Sequence, residues 1–470
     1  MKTIRNTITF GILLCVLVVL QACEDFVMVN VPDHKITSET VFANDETARS
    51  AMNGIYNQLF NAGFSDGGNR SVTFLAGLSA DNFKVMATTN EIQQFGENSI
   101  NTSNSWNLDL WSGAYNMVYM TNAVLEGIAN SATLSADTKQ ALEGEAKFVR
   151  AFTYFYLTNC YGKVPLLLNT SYQQNAVASR NETQEVYDRI IADLEDAAQR
   201  LPETYPDGDR TRPTAYTAMA LLARVYLYLG DWQQAAAYST EVIEQTSVYE
   251  LLSNPNTVFL ANSKEAIWQI SPIGWGSSFT HTHEGNLFIY TTTINSPVAL
   301  SDSFMGQWKD TTDLRYVNWV HKFSKEEQTV YYPYKYKIQY DASGGNSKEY
   351  SMVMRLAEVY LIRAEARVHM NDISGAVADI DQLRKRAEVA LLTHTNPNAS
   401  QQELLALILQ ERRKELFAEW GHRWFDVRRS GDSSPFADKE ETSWQNTDFW
   451  FPIPEEERMK NPNLTQNENY

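Results

Sequence analysis

Apolar residues recur at helical spacing over several long stretches of the chain. They fall on one helical face over residues 37–60 and again over 111–122. The same periodicity predicts a long helix over 143–159 and a further helix over 404–420. The stretch 61–105 is rich in Gly, Ser, Asn and Thr, which indicates loops with short elements. The pattern therefore predicts a mainly α fold.

Two later segments have the pattern of a tetratricopeptide helix-turn-helix. Its positions are Ala223, Tyr226, Gly230, Asp231, Trp232 and Ala235 in the first segment, and Ala364, Arg367, Asn371, Asp372 and Ala376 in the second. The small residues let two antiparallel helices approach closely, and Gly-Asp or Asn-Asp makes the turn. Each helix pair is incomplete alone and must stack on a neighbour. The two segments favour a tetratricopeptide-like helical scaffold.

The segment between these repeats, about 246–350, has a different pattern. Residues 266–270, 287–292 and 330–340 resemble short strands separated by Gly, Ser, Asn and Pro. Fourteen aromatic residues lie within 272–340, a higher density than the 12% of the whole chain. Binding surfaces are often built from loops on a rigid frame. We therefore expect a loop-rich insertion with short strands that carries a binding surface.

The N-terminus has the pattern of a lipoprotein signal. Lys2 and Arg5 form a basic start, an apolar run covers 10–20, and Leu20-Gln21-Ala22-Cys23 follows. The run is too short to span a bilayer comfortably and has the flanks of a secretory signal. A cysteine directly after the cleavage site is what lipoprotein processing requires, because its thiol takes the lipid. We expect a signal peptide at 1–22, acylation of Cys23 and a single domain over 37–470, joined by a tether at 23–36.

The composition of the processed chain excludes several classes of partner and chemistry. Without Lys2 and Arg5, 37 Lys and Arg face 57 Asp and Glu, a net charge of −20. This charge disfavours nucleic acids and anionic lipid surfaces as partners. Cys15 leaves with the signal peptide and Cys23 is the lipid site, so Cys160 remains alone. Neither a disulfide within the chain nor a cysteine-based metal site is expected.

A set of short motifs follows in a fixed order along nearly the whole processed chain. They are Ala51-Met52-Asn53-Gly54-Ile55-Tyr56; Trp111, Tyr115 and Asn122; Gly144-Glu145-Ala146-Lys147-Phe148-Val149-Arg150-Ala151; Arg212-Pro213; Arg355-Leu356-Ala357-Glu358 continuing to Ala366; Glu411-Arg412-Arg413-Lys414-Glu415-Leu416; and Pro452-Ile453-Pro454 continuing to Tyr470. In this order they resemble the SusD/RagB family of nutrient-binding outer-membrane lipoproteins. Asn469 stands where the family usually has glycine, a minor departure.

The resemblance implies a fold, a location and a partner. The fold is a helical domain of four tetratricopeptide-like units with loops and small strands on one side. The location is the outer membrane, where a lipid anchor holds the protein facing outwards. The partner is a SusC-like TonB-dependent transporter, over which the lipoprotein sits as a hinged lid. The ligand is a glycan or, as in RagB, a peptide.

The carboxylates of the C-terminal motifs could be catalytic or structural. Glu411, Glu415 and Glu419 are spaced at i, i+4 and i+8, beside several arginines. Catalytic carboxylate pairs instead lie across a substrate cleft, roughly 5–10 Å apart. The helical spacing favours a structural ion-pair network, and the same interpretation applies to Glu358 and Glu365.

Other catalytic and metal signals are weak. His281-x-His283-Glu284 could place metal ligands on one face of a strand, but no third ligand converges in the sequence, which favours a solvated loop. The sequence also has no phosphate-binding glycine loop and no His-Glu-x-x-His. We expect no cofactor, no metal site and no enzymatic activity.

Aromatic side chains are the positive signal for a binding function. Sugar rings present apolar C–H faces that stack on aromatic rings, while polar side chains fix the hydroxyl groups. The family resemblance implies a site built from loops before the Trp111 helix and from the later insertion. The candidates are Phe95, Asn101 and Trp106 from the first region, and Trp275, Phe279, Tyr290 and Trp308 from the second. Packing of these side chains against the helices is the competing interpretation for each.

These features together predict a glycan-capturing lipoprotein of an outer-membrane uptake system. A peptide-binding lipoprotein, a lid or adaptor acting through protein contact alone, and a glycoside hydrolase with an unrecognised site remain as alternatives. The aromatic-rich insertion favours ligand capture over a bare adaptor, and product release would identify a hydrolase. The sequence does not reveal which ligand is bound.

Overall fold

The computed structural model describes residues 38–272, 279–345, 347–432, 434–436 and 444–470. The predicted signal peptide and the tether with Cys23 lie outside the described residues, and so does Trp275. Among the residues described, no helix is long and apolar enough to cross a membrane.

Helices dominate the described chain. The α-helices are α1 (Ser38–Val41), α2 (Asp45–Asn61), α3 (Val72–Ser79), α4 (Asn90–Glu97), α5 (Ser105–Asn130), α6 (Ala136–Tyr161), α7 (Tyr172–Asn175), α8 (Thr183–Arg200), α9 (Ala215–Leu229), α10 (Trp232–Ile243), α11 (His283–Phe288), α12 (Asp302–Met305), α13 (Leu314–Trp319), α14 (Leu356–His369), α15 (Ile373–Arg386), α16 (Leu392–Thr395), α17 (Gln401–Glu415), α18 (His422–Ser430) and α19 (Glu455–Lys460). Short 3₁₀ turns lie at Pro206–Gly208, Pro255–Thr257, Ser434–Phe436 and Asn446–Phe449.

The strands are short and pair two by two. They are β1 (Phe83–Val85), β2 (Ala266–Ile270), β3 (Val298–Leu300), β4 (Val320–Lys325), β5 (Gln328–Pro333) and β6 (Ser351–Arg355). The antiparallel pairs are β1 with β3, β2 with β6, and β4 with β5. Each pair joins distant parts of the chain except the β4–β5 hairpin.

The helical frame has the predicted tetratricopeptide-like arrangement. Helices α9 and α10 pack as one antiparallel pair, α14 and α15 pack as a second, and α10 packs against α14. Gly230 ends α9 at φ +74° and Asn371 takes the equivalent left-handed position at φ +63°. Glycine and asparagine tolerate this conformation better than other residues. The prediction of a mainly α, tetratricopeptide-like scaffold with short strands is confirmed.

The core lies where the helices meet the β2–β6 pair. Trp268 on β2 is fully buried and meets Phe148 and Phe152 of α6 edge to face, with ring centroids 4.9 Å apart in both pairs. Phe152 also meets the buried Trp420, at 5.2 Å. Aromatic pairs in this geometry stabilise a core beyond the area they bury. The strand pair is thus fixed to the helical frame, and the insertion starts and ends at a rigid base.

Two predicted helices are interrupted. The helix expected over 37–60 is divided into α1 and α2, because the Asn44 side chain accepts a hydrogen bond from the Thr47 N–H and starts α2 afresh. The helix expected over 404–420 ends at Glu415. Beyond it Ala418, Trp420 and Gly421 all have positive φ, which is incompatible with a continued α-helix.

The strand predictions for the insertion have mixed outcomes. The strand over 266–270 is confirmed as β2. The strand over 287–292 is wrong, because the Thr282 hydroxyl accepts a hydrogen bond from the Gly285 N–H and caps the helix α11. The strand over 330–340 is correct only to Pro333, the last residue of β5. The loops with short elements expected over 61–105 are confirmed as α3, β1 and α4.

Candidate functional site

The two loop regions predicted to build a site are joined by the β1–β3 pair. β1 belongs to the first region and β3 to the insertion, with Phe83 opposite Leu300 and Val85 opposite Val298. Beyond the pair, the N–H groups of Met86 and Ala87 donate to the Pro297 carbonyl at 2.8 and 3.1 Å. The first region and the insertion therefore meet along a fixed backbone contact.

The β4–β5 hairpin forms the opposite side of this junction. Its strands pair with Phe323 opposite Val330 and Lys325 opposite Gln328. Side chains alternate between the two faces of a strand, so these four share one face of the hairpin. All four line the same cavity. The pairing of the two strands therefore places the side chains of both cross-strand pairs in one cavity.

The cavity between the junction and the hairpin has a volume of about 330 Å³. This volume lies at the low end for small-molecule sites in proteins. We call it the Tyr290 pocket, and its lining consists of Met86, Ala87, Tyr290, Asn295, Ser296, Pro297, Phe323, Lys325, Gln328 and Val330. Two of these residues come from the first region and the others from the insertion.

Tyr290 is the rigid element of the pocket wall. Its side chain is 7% exposed, and its hydroxyl donates a hydrogen bond to the Val298 carbonyl at 3.0 Å. The ring lies 5.8 Å from that of Phe323 at an interplanar angle of 26°, and 5.5 Å from that of Tyr332. Burial raises the pKa of Tyr290 to about 12, so the hydroxyl stays neutral and keeps donating at ordinary pH. The pocket therefore has a preformed aromatic wall.

The rim of the Tyr290 pocket is polar. Asn295, Lys325 and Gln328 are exposed and line the cavity. In the described part of the chain none of their side chains makes a hydrogen bond or ion pair. An aromatic wall with unengaged amide and ammonium groups matches the two surfaces of a sugar, whose C–H face is apolar and whose hydroxyls need polar partners.

The candidates from the first region are not gathered in this pocket. Phe95 is fully buried and meets Phe451 edge to face at 5.2 Å, so it packs the core, and its assignment as a ligand contact is not supported. Asn101 is exposed, but its Oδ1 accepts from the Ser103 N–H and hydroxyl and closes a local turn. Trp106 is half-buried at the start of α5 and packs on Phe74 at 6.4 Å. Ligand contact by Asn101 and Trp106 stays a prediction.

The insertion candidates lie in three places. Tyr290 lines the pocket, whereas Trp308 is 5% exposed and packs against Phe304 and Phe417. Burial among core rings does not support ligand contact by Trp308. Phe279 is 44% exposed and lies 5.6 Å from the ring of the exposed Tyr340. Contact by Phe279 stays a prediction, as does that by Trp275 outside the described residues.

Sequence reasoning missed most of the pocket lining. Phe323, Lys325 and Gln328 come together only through the register of the hairpin, and Met86 only through the β1–β3 pair. Local periodicity carries no information on which distant strands pair. The available signal was the aromatic density of 272–340, which indicated the region and Tyr290 but not the other lining residues.

The carboxylates of the C-terminal motif form the predicted ion-pair network. Glu415 pairs with Arg315, Arg355 and Arg386, and Glu419 pairs with Arg355. All of these side chains are almost completely buried. Burial alone would raise the pKa of Glu415, but the three guanidinium groups outweigh it and hold that pKa well below its usual range. The structural interpretation is confirmed for this cluster.

The two other carboxylates have the same kind of partner. Glu358 pairs with the buried Arg224 at 2.6 Å, and Glu365 pairs with Arg429. Both carboxylates are buried and neither lines the Tyr290 pocket. They belong to the scaffold, as predicted.

The His281-x-His283-Glu284 segment is neither a strand nor the solvated loop that the sequence favoured, because His281 and Glu284 are buried and His283 is helical. His283 begins α11 and stacks on Phe60 at 4.3 Å, while His281 Nδ1 lies 3.1 Å from the Asp341 carbonyl. Glu284 is buried, and its Oε1 accepts a hydrogen bond from the Ser351 hydroxyl. The described residues contain no group of three or more His, Cys, Asp or Glu that could hold a metal ion.

Two family models match this chain. One, described as the SusD family, matches residues 320–470. The other, described as "starch-binding associating with outer membrane", matches residues 33–227.

Curated relatives match over most of their length. SusD-like protein P2 of Formosa agariphila is 28% identical over 98% of this chain and 99% of the relative. The starch-binding protein SusD of Bacteroides thetaiotaomicron is 24% identical over 73% of this chain and 74% of its own.

Solved structures share the fold. A SusD superfamily protein from Bacteroides vulgatus superposes with a TM-score of 0.79 at 21% identity, covering 91% of this chain and 99% of that one. A laminarin-binding SusD-like protein superposes with a TM-score of 0.75 at 22% identity, covering 91% of this chain and 100% of that one.

Proposed function

From the premise that this chain belongs to the SusD/RagB family of binding proteins, we propose that it is a cell-surface glycan-binding lipoprotein. It captures an oligosaccharide or polysaccharide in the Tyr290 pocket and delivers it to a SusC-like TonB-dependent transporter. The protein performs no chemistry on the ligand.

The observation that carries this proposal is the composition of the Tyr290 pocket. A fixed aromatic wall of Tyr290 and Phe323 faces a rim of Asn295, Lys325 and Gln328. The wall provides apolar contact to a sugar face, and the rim provides hydrogen-bond donors and acceptors to its hydroxyls. Because Tyr290 is already held by Val298, little ordering is needed on binding.

The hairpin contributes to selectivity through its charge. In the part of the chain that the structure describes, Lys325 is the positively charged residue of the lining and no Asp or Glu lines the pocket. A neutral glycan or one with an isolated acidic group is compatible with this lining, although the chain as a whole is acidic. Hydroxyl-rich ligands accept from an ammonium group as well as from amides.

The surface location and the transporter partner are supported by the sequence. The cleavage pattern ending at Cys23 predicts a lipid anchor, and one matched family model is described as associating with the outer membrane. Delivery to a transporter follows from the family resemblance. Energy for uptake would come from the partner, since the sequence has no phosphate-binding glycine loop.

The absence of catalysis is supported by the placement of the carboxylates. The carboxylates of the C-terminal motif are paired inside the scaffold, and among the described residues no Asp or Glu lines the Tyr290 pocket. Glycoside hydrolysis in most families needs two carboxyl groups on either side of the scissile bond. The pocket is therefore suited to holding a glycan and not to cleaving it.

Titration calorimetry of the full-length protein in detergent tests the proposal. The ligands are laminarin, soluble starch, other neutral polysaccharides and peptides, and released sugars are assayed in the same samples. Saturable binding of a polysaccharide without products is expected. Peptide binding alone would assign the protein to nutrient capture of another class, and no binding at all would leave only the lid or adaptor role. Released oligosaccharides would refute the non-enzymatic role.

A further inference from the structure

Two further cavities lie on a different part of the molecule from the Tyr290 pocket. One has a volume of about 300 Å³ and the other about 190 Å³. They adjoin, since both are lined by Tyr115, Leu167, Tyr172 and Asn175. We call the pair the Tyr172 groove. It shares no lining residue with the Tyr290 pocket.

Three elements from distant parts of the sequence hold the groove open. The Tyr115 hydroxyl on α5 donates to the Pro165 carbonyl at 2.9 Å, and the Asn122 amide donates to the Leu167 carbonyl at 2.9 Å. Asn461, directly after α19, donates to the Ala178 carbonyl at 2.7 Å. These bonds fix the segment between α6 and α8, which includes α7, to α5 on one side and to the residue after α19 on the other. The shape of the groove is therefore set by hydrogen bonds within the fold.

The groove has an aromatic floor and an aromatic ridge. The buried Trp111 lies 4.8 Å from Tyr115, and both line the larger cavity. Tyr172 lines both cavities and is 80% exposed, while Tyr119 of the smaller cavity is 53% exposed. Exposed apolar surface of this kind marks binding sites in soluble domains.

The polar groups of the groove favour a neutral, hydroxyl-rich ligand over an apolar peptide segment. The Asn175 amide donates to the Asn169 carbonyl, and within the described chain its Oδ1 has no partner. The Tyr172 hydroxyl likewise has no partner there. Glu457 and Lys460 at the edge pair with each other at 2.8 Å, which leaves no net charge to attract an ion. Sugar rings supply hydroxyls to such acceptors and C–H faces to tyrosine rings.

We infer that the Tyr172 groove is a second carbohydrate site, which binds a stretch of the same neutral polysaccharide. This inference rests on the proposed function of glycan capture and adds that the ligand is a polymer long enough to engage two sites. Two linked contacts raise the affinity for a long chain without any new interaction at either site. A short oligosaccharide would fill the two sites independently.

The test counts binding sites on the full-length protein. A short oligosaccharide prepared from laminarin or starch, whichever polymer binds, is titrated into the wild type and three variants. Tyr172→Ala removes the ridge, Lys325→Ala weakens the Tyr290 pocket, and Met370→Ala is the control, since Met370 is exposed and lines neither site. Two sites are expected for the wild type and Met370→Ala, and one for Tyr172→Ala. The polymer should bind Tyr172→Ala at least about tenfold more weakly.

The outcomes separate this inference from the proposed function. One site in the wild type that Lys325→Ala weakens and Tyr172→Ala leaves unchanged would overturn the second site and leave glycan capture intact. If Tyr172→Ala abolished all oligosaccharide binding and Lys325→Ala lost none, the assignment of the Tyr290 pocket as a glycan site would be overturned instead. A Tyr172→Ala protein that binds glycan normally but no longer copurifies with a transporter would assign the groove to a protein partner and refute the inference.

Discussion

The hydroxyl of Tyr290 donates a hydrogen bond to the backbone carbonyl of Val298 at 3.0 Å. Val298 is the first residue of β3 and lies opposite Val85 of β1. The aromatic wall of the pocket is thereby tied to the strand pair that joins the two loop regions. The geometry of the proposed glycan site depends on this bond, because the loop that carries Tyr290 has no regular secondary structure.

Replacing Tyr290 with phenylalanine keeps the ring and removes the bond. We expect the free energy of unfolding to fall by about 1–2 kcal/mol, because a buried carbonyl loses its partner. Glycan affinity should fall a few-fold as the wall loosens. Chemical denaturation and calorimetry measure the two effects. Tyr332→Phe is the matched control, since Tyr332 is equally buried in the same cluster and its hydroxyl has no partner in the described chain. Equal effects of the two substitutions would contradict the role of the bond.

Lys325→Ala and Lys322→Ala test which face of the hairpin binds. Lys325 lines the pocket, whereas Lys322 is exposed on the same strand and lies on the opposite face, three residues away. Each variant loses one surface charge from the same element. We expect Lys325→Ala to weaken glycan binding by roughly 1 kcal/mol, about the value of one hydrogen bond, and Lys322→Ala to leave it unchanged. Equal affinities of the two variants would place the site elsewhere.

The helical frame was predictable from sequence, and the pocket was not. The tetratricopeptide turns at Gly230 and Asn371 are local signals, and helical periodicity extends over consecutive residues. The pocket depends on which strand β1 meets some 200 residues later and on the exact register of β4 with β5. Aromatic residues are also ambiguous, since Phe95 and Tyr290 differ in role only through what packs beside them.

The buried ion-pair network predicts a large cost for neutralising Glu415. Glu415→Gln leaves Arg315, Arg355 and Arg386 with fewer compensating charges in an environment closed to water. Breaking a buried pair in this way costs about 3–5 kcal/mol. The free energy of unfolding should fall by this amount. Neither the wild type nor the variant should release sugars from a glycan, because the protein does not cleave it. Glu241→Gln, on the exposed face of α10, is the control and should cost almost nothing. A stable Glu415→Gln protein would contradict a structural role.

Glu284 predicts a stability that decreases as pH rises. Burial raises the pKa of Glu284 from 4.5 to about 7, with Asp66 and Glu349 adding to the effect. The raised value means that the folded chain holds a proton which the unfolded chain has already lost. Stability from this group is therefore complete below pH 4.5, decreases between pH 4.5 and 7, and is constant above pH 7. The total is about 3 kcal/mol from the size of the shift.

Glu284→Gln tests this dependence. The substituted side chain stays neutral, so the unfolding free energy should change less over pH 4.5–7 than in the wild type, and the variant should be the more stable protein at pH 8. Denaturant unfolding at several pH values measures both. Glu241→Gln again serves as the control, since Glu241 is exposed. If the unfolding free energy of the wild type and of Glu284→Gln changed with pH in parallel, the raised pKa of Glu284 would be contradicted.

The most direct test of glycan capture is a crystal structure of the protein with an oligosaccharide from the polymer that it binds. The account predicts a sugar ring in the Tyr290 pocket, against Phe323 and within hydrogen-bond distance of Asn295, Lys325 or Gln328. A crystal saturated with the same oligosaccharide that shows an empty Tyr290 pocket, with sugar bound elsewhere, would contradict it.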